Sequence, residues 1–197
     1  MQTPRGLTGP LLLILSLVVW GMPAWATSVL DQTFPDLVHQ AEVIAVGTVT
    51  GIQEQWEVSR QAPITQVTFA NLTVLKGNTG AERMTLDFLG GHFPDGRVLT
   101  ITGMPQFTMG EKIVVFSTGN QQYFCPLVGM WHGLLRVSFD PQRGQEIVSD
   151  NFHRPIAGLH DQNFATVQPE VAAQAPLALS ALEDLITQEM GNSYGPH

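Results

Sequence analysis

The residues best equipped for chemistry sit in three short, glycine-punctuated segments. Residues 128–133 (VGMWHG) set Trp131 beside His132, with Gly129 and Gly133 on either side. An indole offers a large flat apolar face, and an imidazole exchanges a proton near neutral pH. Residues 89–96 (LGGHFPDG) carry His92 and Asp95 among glycines. An anion or a metal could sit there, but the spacing matches neither a phosphate-binding nor a dinucleotide loop. Zinc sites use three or four ligands, and this loop supplies two, so a β-hairpin loop is the simpler reading. Residues 103–111 (GMPQFTMGE) end in Glu111, a candidate general acid. No second carboxylate is placed to share glycosidase chemistry with it, which favours a structural turn.

Nucleophilic chemistry has less to work with. The single Cys125 lies in an apolar stretch, where desolvation raises a thiol pKa, the wrong direction for a thiolate. No Gly-x-Ser-x-Gly elbow is present, and the six histidines include no HExxH. Asn71-Leu72-Thr73 is an acceptor sequon, but on a segment that reads as strand. Binding therefore outweighs catalysis. The expected binding residues are Trp131, His132, His92 and Asp95, with no catalytic residue, metal or cofactor.

The elements that must hold these segments are mostly strands. Residues 33–40 open with a helix signal, in which Thr33 caps, Pro35 suits the first turn and Asp36 favours the positive end of the dipole. Residues 41–54 are apolar on both faces at first, as in a central strand. Residues 63–75 change parity, because Val67 and Phe69 share one face whereas Leu72 and Val74 take the alternate set. That predicts a β-bulge near Ala70 or Asn71. Shorter strands follow at 82–89, 97–102, 112–116, 133–139 and 146–149, with a brief one at 122–124. Residues 150–176 read as an irregular arm. The last helix is expected to start at a capping box of Ser180 and Glu183, with Leu182, Leu185 and Ile186 as its apolar stripe.

Composition and address narrow the class. The chain has 197 residues, 44% hydrophobic and only 13% charged, so it is not a disordered chain. Its net charge of −8 carries no basic footprint, which argues against a nucleic-acid partner. One cysteine excludes a disulfide framework. Arg5, the apolar run 11–20 (LLLILSLVVW) and Ala24-Trp25-Ala26 read as a secretory signal peptide cut after Ala26. The run is too short to span a bilayer, so no stable membrane anchor is expected after cleavage. The expected organisation is a signal peptide at 1–26, a β-barrel domain at 27–149, and an irregular arm with a C-terminal helix at 150–197. Ile44, Val46, Val67, Phe69, Leu86, Val114, Phe116 and Val137 are expected to be buried together.

Several pieces in this order resemble a family of uncharacterised secreted bacterial proteins. They are residues 41–49 (AEVIAVGTV), 73–77 (TVLKG), 88–91 (FLGG), 103–111 (GMPQFTMGE) and 128–133 (VGMWHG). About seven or eight short antiparallel strands with glycine turns mean an all-β domain, and two long coiled opening strands suit a small barrel. The resemblance implies a small OB-like barrel outside the cytoplasm, and it brings no catalytic residues. The leading expectation is a secreted or periplasmic non-enzymatic binding module that meets a protein or a glycan through barrel-end loops. A hydrolase using His92, Asp95, Glu111 or His132 is the alternative, and an accessory or inhibitor protein of an extracellular protease is a third.

Overall fold

The computed structural model describes residues 32–168 and 174–192. The expected signal peptide lies outside them. Helix α1 (Phe34–Gln40) starts where its capping residues demand. The Thr33 hydroxyl accepts the Asp36 N–H at 3.2 Å, and the Asp36 carboxylate accepts the Thr33 N–H at 3.1 Å. Strands β1 (Val43–Glu57) and β2 (Ala62–Lys76) form a long hairpin, followed by β3 (Met84–Leu89). A small hairpin of β4 (Gly91–His92) and β5 (Val98–Leu99) precedes β6 (Lys112–Ser117). A 3-10 turn at Met130–Gly133 leads into β7 (Leu134–Asp140) and β8 (Gln145–Ser149). Hairpin β9 (Ile156–His160)–β10 (Asn163–Thr166) and helix α2 (Leu179–Asn192) complete the order.

Six strands make one antiparallel sheet in the order β3-β2-β1-β6-β7-β8. The parity change in β2 is a bulge: Val46 pairs with Thr73 but Thr48 with Ala70, and Asn71 takes a left-handed φ of 53°. A second register shift passes Leu75, so β2 coils along its length.

The sheet is open, and this corrects the expected closed barrel. A barrel has one interior, whereas the central strands here are buried on both faces. On one face Ile44, Val46, Val114, Phe116, Leu135 and Val137 pack under both helices, with Leu37, Leu182 and Ile186 closing the layer. On the other, Ala45, Val67, Phe69, Leu86, Ile113 and Leu134 form a second cluster under the connecting loops. All eight expected core residues are buried. They divide between two cores, because Val67, Phe69 and Leu86 lie on the opposite face from the other five.

Three further expectations are corrected. The supposed irregular arm holds the β9–β10 hairpin, turned by Asp161 and Gln162 at φ 48° and 65°. Helix α2 begins at Leu179, so Ser180 lies inside it and forms no N-cap. Residues 122–124 form no strand, and the 97–102 segment contributes only the two residues of β5.

The outermost strands are not left bare. On β3, the Asp87 N–H donates to Asn120 Oδ1 at 2.9 Å, and Asn120 Nδ2 donates to the Thr85 carbonyl at 2.9 Å. On β8, Val148 N–H donates to the Leu177 carbonyl at 3.0 Å, and Ser149 bridges to Pro155. Side chain and loop thus occupy groups that would otherwise template a foreign strand.

Candidate functional site

The segment between β6 and β7 builds the site. It leaves β6 and doubles back on it, with Thr118 N–H donating to the Pro126 carbonyl at 2.8 Å and Val128 N–H to the Phe116 carbonyl at 2.9 Å. The excursion between these bonds carries Tyr123 and Phe124, which are 53% and 55% exposed. Their rings meet edge to face at 5.0 Å. Gly129 and Met130 both take left-handed φ, 57° and 58°, which turns the chain sharply into the 3-10 turn.

That turn aims Trp131 at Gly103, where φ is +82° and a Cβ would lie 2.3 Å from Trp131 Cζ3. Half-buried, Trp131 is neither a fully enclosed plug nor a free surface ring. Gly103→Ala is expected to destabilise by more than about 1 kcal/mol, through backbone strain and collision together. A shifted tryptophan emission in the folded variant would report the displaced indole, and an unchanged stability and spectrum would refute this packing.

Trp131, Tyr123, Phe124 and Phe152 line one open groove of about 960 Å³, with Ile101 and Met130 beside them. Phe152 is 58% exposed. Its loop is set by Asp150, whose carboxylate accepts the N–H groups of Phe152 and Arg154, both at 2.9 Å. Trp131 and Phe152 also line a second cavity of about 290 Å³, whose polar wall includes His132, Asp150, Arg154 and Asn163. The two spaces share these two rings in their walls. Sequence reasoning found Trp131 and His132 but missed Tyr123, Phe124 and Phe152, which chain distance hides.

His132 and Asp150 share the smaller cavity, yet each has its own partner. His132 Nδ1 contacts the Gly129 carbonyl at 3.0 Å, and Arg154 holds the Asp150 carboxylate at 2.6 Å. His92 and Asp95 line neither of these two spaces. His92 Nδ1 contacts Glu54 Oε2 at 2.6 Å, and the Asp95 carboxylate pairs with Arg97 at 2.8 Å. The His92 ring and backbone donors hold the Glu54 carboxyl below its ordinary range, and the Arg97 donors do the same for Asp95. No group of three metal-ligating side chains occurs among the described residues.

Glu111 is part of the scaffold. Its carboxylate pairs with Arg136, a β7 residue only 7% exposed. Arg136 also donates to the carbonyls of Gln106 at 2.8 Å and Asn151 at 3.0 Å. One buried guanidinium therefore ties both loops that flank the groove, the 103–111 connector and the turn before Phe152.

Cys125 lines the groove but is buried, and desolvation pushes its thiol up to about 11. A thiol reagent at pH 8 is expected to label it slowly in the native protein and fully after unfolding. Rapid native labelling would contradict its burial. The unfolded chain ionises this thiol first, near its ordinary 9.0, so the thiol's contribution to stability is complete below that pH and is lost as pH rises toward about 11.

No family model, curated protein or solved structure matches this chain.

Proposed function

We propose that this protein is a secreted or periplasmic, non-enzymatic binding module that holds a protein or an oligosaccharide in the groove beside Trp131. The observation that carries the reading is the convergence of four aromatic rings on one open space, three of them more than half exposed. Contiguous exposed apolar surface of this kind marks interaction sites, and aromatic residues dominate their energetics. The signal-like N-terminal pattern and the resemblance to secreted bacterial proteins support the location.

The test is affinity capture from the native extracellular fraction, with wild type and the Tyr123→Ser/Phe124→Ser double variant run in parallel. Both side chains are exposed, so the variant should keep its stability within about 1 kcal/mol. Wild type should retain one protein or glycan species that the variant loses, by about 2 kcal/mol or more in affinity. Identical captured material from both would overturn the groove reading, and turnover of the captured species would overturn the non-enzymatic one. Mass spectrometry of the secreted protein should show Thr27 as its first residue.

A further inference from the structure

The sheet covers the edges of its outermost strands and leaves another open. Strand β1 pairs with β6 only from Val43 to Thr48, and backbone bonds between Val49 and residues 110–111 close off the next step. Beyond that, residues 51–57 pair with β2 on one side alone. Among the described residues no backbone group bonds to their other side. Residues 52–56 are all exposed. The open edge is about 20 Å long at the usual rise of about 3.3 Å per residue.

Its side chains are ordered. Glu54 packs on Gly91 and His92, and Trp56 meets Phe93 at 5.8 Å, so one face is held by the β4–β5 hairpin and its loop. Glu54 and Glu57 give the edge negative charge. Their carboxylates accept from His92 and Ser59, and neither forms an ion pair with a lysine or arginine among the described residues. Nearby Arg60 donates instead to the Asn120 carbonyl at 3.0 Å. The chain as a whole carries −8.

From these observations we infer that residues 51–57 of β1 form a strand-addition surface for an extended, lysine- or arginine-bearing segment of a partner protein. Main-chain hydrogen bonds along the bare edge supply the affinity, and cross-strand pairing with Glu57, on the face opposite Glu54 and the hairpin, selects cations. The same carboxylates disfavour a second copy of this chain, whose own edge would bring like charges opposite one another. This surface is separate from the aromatic groove, and either can fail without the other.

The experiment is hydrogen exchange of the full mature protein, titrated with a short capped peptide of alternating lysine and threonine. Residues 51–57 should gain protection at low salt, and the affinity should fall at least tenfold at high salt. A backbone N-methylated version and a glutamate version should each bind at least tenfold more weakly, and so should the lysine peptide to the Glu57→Lys variant. The proposal is overturned if millimolar peptide leaves these amides unprotected or protects only residues around Trp131. It is equally overturned if the N-methylated peptide binds as well, or if protection grows with protein concentration in the absence of peptide.

Discussion

Arg136→Ala is expected to lower the unfolding free energy by about 3–5 kcal/mol, the usual cost of stranding one member of a buried ion pair. Glu111, itself only 14% exposed at its side chain, would be left without its cation. The carbonyls of Gln106 and Asn151 would lose their donors at the same time. Both losses fall on the loops that flank the groove, so the folded fraction of the variant should also lose ligand. Arg136→Lys should recover only part of the stability, because an ammonium cannot reach acceptors on Glu111, Gln106 and Asn151 together as a planar guanidinium does. Urea denaturation decides the matter, and a loss under about 1 kcal/mol would mean that Arg136 is not the tie described.

Phe116→Ala is expected to cost about 3–5 kcal/mol, because its ring is fully buried between the sheet and the helices. Phe69→Ala should cost a similar amount on the opposite face. The two residues belong to separate clusters, so the double variant should lose the sum of the single losses to within about 0.5 kcal/mol. Strong non-additivity would instead indicate one shared interior, as in a barrel.

Local backbone features were legible wherever the residues state their own constraint. Thr33, Pro35 and Asp36 announce the first helix, and the switch from Phe69 to Leu72 announces the bulge at Asn71. The apolar character of both faces around Ala45 and Val46 already implied a strand covered on two sides. The small barrel was read from the two coiled opening strands, but a coiled strand in an open sheet carries the same parity change. The β9–β10 hairpin escaped notice because Asp161-Gln162 makes the turn without a glycine. In the groove, Trp131 was legible from its flanking glycines. Phe152 was not, because only the fold brings the loop beyond β8 next to the turn before β7.

The two helices impose an order on the making of this protein. The α1 residues Leu37 and Val38 share a cluster with Leu182 and Ile186 of α2, and His39 meets Glu189 at 3.2 Å between the helices. The first element of the described fold and the last are therefore packed into the same layer. A ribosome or an export channel releases the chain from its N-terminus, so that layer stays unfinished until nearly all of the sequence has emerged. Until then Ile44, Val46 and Phe116 have no roof of α2 over them. The export proposed above would benefit from that delay: the chain would remain loose enough to thread, and it would close on the far side when α2 arrives.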